Sequence, residues 1–242
     1  KSPYTLIKAI YYMETASLFL FLTQKVIKSP NFITLLYILC GVIGAFFIAL
    51  SSHDFFFYLG LFMVFTKGTF DWADGPLARR LNKTSFLGHA LDCYGAHLND
   101  LAFRVAFLYY SLLNFSEWMF LFPVLTFVLL ATNLKLYTDF QYTKIIIDPE
   151  KKIYKNNSVS KNKKQTKGIQ VSNFKKWFVR YTSFLDGRAR SIDLILLLIL
   201  INEKIYYDLS IFLLIISLLI VLRCIMLHIA SVYSTFKFYN KV

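Results

Sequence analysis

Three aspartates lie close together in a segment between two apolar parts of the chain. They are Asp71, Asp74 and Asp92, within the stretch "FDWADGPLARRLNKTSFLGHALDCYGAHLND" at residues 70–100. Carboxylates are costly near hydrocarbon, and ionisable groups at such positions are usually functional. Oxygen ligands favour a hard cation such as Mg²⁺ or Mn²⁺, and a pair of such ions neutralises a diphosphate and stabilises its leaving group. The segment therefore predicts a divalent-metal site for a phosphate-containing substrate.

Small residues accompany the first two acids. Asp71 and Asp74 are three positions apart, so a helix presents both on one face. Gly75 and Ala78 follow on the same stretch and have almost no side chain. Such residues let a bulky ligand approach the backbone while the acids reach its metal.

The third acid belongs to the next helix. Gly88 opens that helix, and we expect Asp92 to face inward one turn later. Arg79 and Arg80 add fixed positive charge for phosphate oxygens. An Asp-x-x-Asp pair alone is common at helix ends, so the metal-site hypothesis depends on the complete spacing.

The elements that position these residues are membrane helices. The chain has 242 residues, 57% of them hydrophobic, and a mean hydropathy of +0.51, values typical of multi-span membrane proteins. Its net charge of +13 comes from basic residues in short segments between apolar runs, as the positive-inside rule predicts. No nucleic-acid-binding motif accompanies this charge, so we expect no nucleic-acid partner.

The predicted fold is an all-α integral membrane protein with six transmembrane helices after an N-terminal interfacial amphipathic helix. Residues 1–29 form the interfacial part, and 30–242 form the membrane domain with a basic cytoplasmic loop at 148–176. The first four spans cover about 33–50, about 55 to the polar segment at 67–75, 86–113 and 117–139. The fifth begins near 191, or earlier near 184, and ends at 202. The sixth begins near 205 or 209 and ends at 231.

Charge asymmetry gives the orientation. The loops at 51–54, 114–117 and 202–208 contain one basic residue, Lys204, whereas the alternate side is rich in Lys and Arg. Both ends and the aspartate segment are therefore expected to face the cytoplasm. The sequence opens at Lys1, so we expect a trimmed N-terminus, and we expect no cleavable signal peptide.

The acids and small residues together form a longer pattern, D-x2-D-G-x2-A-R-x8-G-x3-D. Its positions are Asp71, Asp74, Gly75, Ala78, Arg79, Gly88 and Asp92. This pattern resembles the signature of the CDP-alcohol phosphotransferase family, with seven of eight positions matching at the correct spacing. The interfacial helix, the six spans and the place of the motif between spans two and three are similar as well.

The resemblance implies a Mg²⁺-dependent reaction, in which Mn²⁺ is the alternative ion. A hydroxyl attacks the β-side phosphorus of a CDP-linked donor, either CDP-diacylglycerol or a CDP-alcohol, and CMP leaves. The acceptor is an alcohol or a lipid, the product is a phospholipid, and a homodimer is expected. The implied metal ligands are Asp71, Asp74 and Asp92, and the implied nucleotide-binding residues are Asp71, Gly75, Ala78, Arg79 and Gly88.

The last motif position departs from the family. It is an aspartate there, assigned as general base and metal ligand, and it is Ala96 here. A methyl group cannot take a proton, and losing a general base typically costs about 10²–10⁴-fold in rate. The neighbours His97, Asn99 and Asp100 are the candidates for a substitute base. We therefore expect a nearly inactive chain.

Two explanations of Ala96 stay open. One is a substitution introduced to trap a substrate complex, which the intact remainder of the motif favours. The other is a natural pseudoenzyme that binds nucleotide without turnover. A transporter is disfavoured, because the acids cluster at one surface instead of the membrane midplane and the chain has no internal repeat.

Further basic residues are candidates for acceptor recognition. Arg188 and Arg190, at the start of the fifth span, would bind a phosphorylated acceptor if both turned inward, although topology anchoring explains them as well. Deeper charges lie at Arg104, Lys135 and Arg223, and pairing with Asp100 or Asp139 would account for some of them.

Overall fold

The computed structural model describes residues 3–50, 53–112, 115, 117–147, 190–204 and 209–239. These residues form helices and no strand, as the predicted all-α class requires. A 3₁₀ turn, Glu117–Phe120, precedes α5. The helices are α1 Pro3–Thr23, α2 Pro30–Leu50, α3 Asp54–Arg80, α4 Phe86–Leu112, α5 Leu121–Ile147, α6 Arg190–Lys204 and α7 Ser210–Tyr239. The predicted loop at 148–176 lies outside the described residues.

Three segments in this part of the chain are long and apolar enough to cross a membrane. They are Pro30–Leu50, Trp118–Leu136 and Ser210–Tyr233. Helices α3 and α4 have 27 residues each but carry the charged motif, and the described part of α6 has only 15 residues. The structure thus supports an integral membrane protein, while the count of six spans stays a prediction.

Helix α2 packs against both helices that carry the aspartates. It crosses α3 where Gly44 meets Gly60, and a Cβ at Gly60 would lie 2.7 Å from the Gly44 carbonyl oxygen. It also lies close to α4, because a Cβ at Gly95 would lie 2.6 Å from Ile38 Cγ1. Glycine at such crossings lets two backbones approach more closely than any side chain would allow.

The main apolar core occupies the half of α3 and α4 that is remote from the aspartates. Phe107 and Leu108 of α4 are fully buried there, together with Ile199 of α6. Within this core the hydroxyls of Ser111 and Ser217 lie 2.6 Å apart, joining α4 to α7. The core therefore fixes one end of the helix pair and leaves its other end for polar groups.

Replacing Gly60 with alanine should separate α2 from α3. Overpacking of this kind costs about 1–3 kcal/mol of stability, because here the new methyl group meets backbone atoms instead of a movable side chain. The melting temperature of Gly60→Ala in detergent should fall relative to that of the unchanged chain.

Gly75→Ala is the matched control for this change. It adds the same methyl group to the same helix but meets only the guanidinium of Arg79, at 3.4 Å. An equal melting temperature for the two variants would contradict a backbone contact at Gly60.

Candidate functional site

A short turn brings the two acid-bearing helices together. Asn82 has a positive φ of 53° in this turn, a left-handed conformation that Asn tolerates better than most residues. Ser85 directly precedes α4 and caps its N-terminus, because its Oγ accepts a hydrogen bond of 3.0 Å from the Gly88 backbone N–H. The turn reverses the chain so that the end of α3 faces the first turns of α4.

Asp71 of α3 and Asp92 of α4 meet across this helix pair. Asp92 lies close enough for its carboxylate to raise the pKa of Asp71. Two ionised carboxylates near each other repel, and a cation bound between them would remove that repulsion. The structure thus brings together two of the three acids expected to bind metal.

The third acid is held by α2. Thr34 is buried, and its hydroxyl donates a hydrogen bond of 2.6 Å to Asp74 Oδ2. This bond fixes the orientation of the Asp74 carboxylate and uses one of its oxygens. Asp92 lies close enough to Asp74 for its charge to raise the pKa of Asp74.

The acids lie beyond the apolar stretch of α3, and their environment favours the neutral form. Burial raises the pKa of Asp71, and the carboxylates of Asp92 and Asp74 raise this pKa further, whereas the Lys67 ammonium lowers it. Burial also raises the pKa of Asp74, whereas the hydrogen bond from Thr34 lowers this pKa. A bound cation would stabilise the ionised forms of both groups.

The small residues of the motif leave space beside the acids. A Cβ at Gly75 would meet only the guanidinium of Arg79, at 3.4 Å. The Arg79 charge also lowers the pKa of Asp74. Across the turn, a Cβ at Gly88 would lie 3.2 Å from Asn31 Oδ1. A phosphate that approached the backbone at Gly75 would therefore meet a guanidinium next to the acids.

Ala96 lies on α4 one turn after Asp92 and is exposed. An aspartate at this position would have room for its carboxylate. Asp100 is one further turn along the helix and is engaged elsewhere, because its Oδ1 lies 3.0 Å from Nε of the buried Arg104. This ion pair confirms the predicted pairing of Arg104 and argues against Asp100 as a substitute base.

The three aspartates fit a hard cation in chemistry and charge, but the positions of their carboxylates do not form a complete coordination site. The donors are carboxylate oxygens, and the Asp92 carboxylate raises the pKa of both Asp71 and Asp74. Among the residues that the structure describes, no three His, Cys, Asp or Glu side chains are arranged to hold a metal ion. Binding would therefore require the carboxylates to close around the ion.

The sequence predicts two residues for contact with the acceptor. Arg188 lies outside the described residues, and Arg190 begins α6. Their assignment to an acceptor phosphate stays a prediction. Lys135 of α5 is exposed, whereas Arg223 of α7 is buried.

Sequence reasoning missed Asn31, Thr34 and Lys67. Asn31 and Thr34 are three residues apart at the start of the apolar helix α2, so they lie on one face, and this spacing was an available signal. Lys67 is a buried lysine four residues before Asp71, which places both on one face of α3. Each is a polar residue in or beside an apolar stretch, the position at which polar groups are usually functional.

A comparison with protein families finds one match. The model of the family described as CDP-alcohol phosphatidyltransferase matches residues 27–153, which is more than half of the chain. This range contains α2, α3 and α4 and all three acids. No curated protein and no solved structure matches the chain.

Replacing Thr34 with valine should weaken divalent-metal binding. The change keeps the shape of the side chain but removes the hydrogen bond that orients Asp74. Loss of a group that orients a metal ligand typically costs about 10–100-fold in metal affinity. Titration with Mn²⁺ should show this loss for Thr34→Val.

Thr23→Val is the control, because the Thr23 hydroxyl bonds only the Phe19 carbonyl of its own helix. Equal Mn²⁺ affinities for the two valine variants would show that Thr34 does not contribute to metal binding.

Proposed function

Because the chain belongs to the CDP-alcohol phosphatidyltransferase family, we propose that the aspartate cluster binds a CDP-linked donor together with Mg²⁺ or Mn²⁺. Membership implies phosphatidyl transfer from a CDP-alcohol in phospholipid synthesis, carried out by a membrane-bound transferase. In the proposed reaction, the acceptor hydroxyl attacks the β-side phosphorus of the donor and CMP leaves. The acceptor is an alcohol or a lipid.

The observation that carries this proposal is the approach of Asp71 to Asp92 beside the Thr34-bound Asp74. Three carboxylates on two helices, held near one another and partly buried, need a positive partner. A divalent ion provides that charge, and a donor diphosphate bound to the same ion explains why small residues and an arginine adjoin the acids.

Each group of the site has a distinct task in the proposed mechanism. Asp71, Asp74 and Asp92 would hold the metal, which supplies charge neutralisation and polarises the phosphate oxygens when bound. Thr34 orients Asp74, as its hydrogen bond shows. The Arg79 guanidinium, beside Gly75, would contact the diphosphate and stabilise the departing CMP.

Neither Ala96 nor Asp100 is available to take the proton of the acceptor hydroxyl. The methyl group of Ala96 cannot take it, and the Asp100 carboxylate is paired with Arg104. We therefore propose that this chain binds donor and metal but turns over slowly. A pseudoenzyme that binds nucleotide without turnover is the second candidate, favoured by the same alanine.

Several further features remain part of the proposal. The acids would face the cytoplasm, because the segments predicted to lie on their side of the membrane carry most of the basic residues. The chain would work as a homodimer, which the family resemblance implies. Arg188 and Arg190 would contact a phosphorylated acceptor if the acceptor carries a phosphate.

Replacing Ala96 with aspartate should restore turnover. The exposed position has room for a carboxylate, which would provide the general base and a further metal ligand. We expect Mg²⁺-dependent release of CMP to rise by about 10²–10⁴-fold over the unchanged chain. CDP-diacylglycerol and CDP-alcohols, each with a panel of acceptors, are the substrates to test.

Ala96→Asn is the matched control, because asparagine has the same shape and cannot act as a base. Activity in the aspartate form alone supports the transferase proposal. If neither the unchanged chain nor Ala96→Asp releases CMP from any donor, while both still bind nucleotide, the pseudoenzyme is favoured. Comparable activity in the unchanged chain and the aspartate form would show that another group supplies the base.

Replacing Asp92 with asparagine should weaken metal-dependent donor binding. The change removes a charge from the Asp71–Asp92 pair while keeping the side-chain shape. Affinity for the CDP-linked donor in Mg²⁺ should fall by about 10–100-fold and become nearly independent of Mg²⁺. Equilibrium binding of the donor to the unchanged chain and to Asp92→Asn, with and without Mg²⁺, measures this change in affinity.

The exposed Asp54, at the opposite end of α3, provides the control Asp54→Asn. A donor affinity that responded to Mg²⁺ equally in both variants would exclude Asp92 as a metal ligand.

A further inference from the structure

Helix α1 packs along the segment of α3 that carries the acids. Ala16 of α1 shares a small buried cluster with Ala73 and Leu77 of α3, and the rings of Phe19 and Phe70 meet edge to face at 5.2 Å. At 3.6 residues per turn, Ala73 lies nearly opposite Asp71 on α3, whereas Leu77 lies beside Asp74. Helix α1 thus packs directly next to the acid-bearing segment.

One aromatic residue of α1 makes the closest of these contacts. The buried Tyr12 donates a hydrogen bond of 2.8 Å from its hydroxyl to the Phe65 carbonyl. A Cβ at Gly68 would lie 2.6 Å from Tyr12 Cζ, so the ring rests directly on the glycine backbone. The rings of Tyr11 and Phe65 flank Tyr12 and limit its movement. Any residue other than glycine at position 68 would push this ring away.

The contact lies next to the site along the helix. Gly68 precedes Asp71 by three residues, which is less than one helical turn. One turn along α1 from Tyr12, the Thr15 hydroxyl lies 3.1 Å from that of Thr69. Because a helix transmits displacement along its axis, the position of Tyr12 on Gly68 affects where Asp71 meets Asp92.

We propose that Tyr12 is a positioning residue for the metal site, acting through its hydrogen bond to Phe65 and its packing on Gly68. The proposal rests on the proposed function, because it assigns Tyr12 to the same site. It adds a role for the N-terminal helix: α1 packs on α3 next to Asp71 and so fixes where Asp71 lies relative to Asp92.

The test is a double-mutant cycle with Mn²⁺ as the probe. Tyr12→Phe removes one hydrogen bond and keeps the ring, whereas Gly68→Ala displaces the ring. Mn²⁺ affinity is measured by electron paramagnetic resonance in the presence of CDP, and a thermal melt accompanies each variant. Tyr11→Phe is the matched control, since Tyr11 is an exposed neighbour on the same helix.

We expect each single change to weaken Mn²⁺ binding by about two- to tenfold, in line with the loss of one hydrogen bond or of its geometry. The variant with both Tyr12→Phe and Gly68→Ala should have the same Mn²⁺ affinity as the single variant that binds Mn²⁺ less tightly, because both changes disrupt one contact. Tyr11→Phe should retain the affinity of the unchanged chain. If Gly68→Ala fails to fold, Tyr12→Phe decides the question alone.

Two results would overturn the inference. If Tyr12→Phe keeps its Mn²⁺ affinity while Asp92→Asn loses affinity, Tyr12 does not position the metal site, and the proposed function is unaffected. Additive losses that follow the melting temperatures would assign Tyr12 to stability alone. If Asp92→Asn also retained full Mn²⁺ affinity, the proposed function itself would fail, and the role of Tyr12 with it.

Discussion

The repulsion between the carboxylates of Asp71 and Asp92 is the constraint on which the candidate site depends. The two groups meet across α3 and α4 in a chain that is otherwise rich in apolar helices. Burial increases the cost of their charge, because it removes the water that would solvate it. At Asp71 the Lys67 ammonium offsets part of this cost, and at Asp74 the Thr34 hydroxyl and the Arg79 guanidinium act in the same way. The proposed divalent ion would offset the remainder.

Close helix packing makes this arrangement possible. Gly44 and Gly60 let α2 approach α3, and α2 brings Thr34 to the third acid. A separate apolar core holds the remote ends of α3 and α4, so the polar ends need no large core of their own. The result is a rigid helix pair with a charged end, where a small change in separation alters how the carboxylates interact.

Much of this site could be predicted from sequence, because its chemistry follows spacing along single helices. The motif places Asp71 and Asp74 on one face, and α4 begins at Phe86, where the third predicted span starts and two residues before the Gly88 start expected from the motif. The contacts of Thr34 and Tyr12 could not be predicted in the same way. Their partners lie on other helices, and those contacts depend on crossing angle and rotation, which periodicity does not specify. The span count is also undecided, because charged residues within α3 and α4 obscure their apolar character.

The location of a bound Mn²⁺ ion tests the central claim most directly. An experimental structure of the chain with Mn²⁺ and a CDP-linked donor would show the ion by its anomalous scattering. The account predicts a peak bonded to carboxylate oxygens of Asp71, Asp74 and Asp92, with the diphosphate on the same ion. Donor bound elsewhere, or a peak without these three carboxylates, would contradict it.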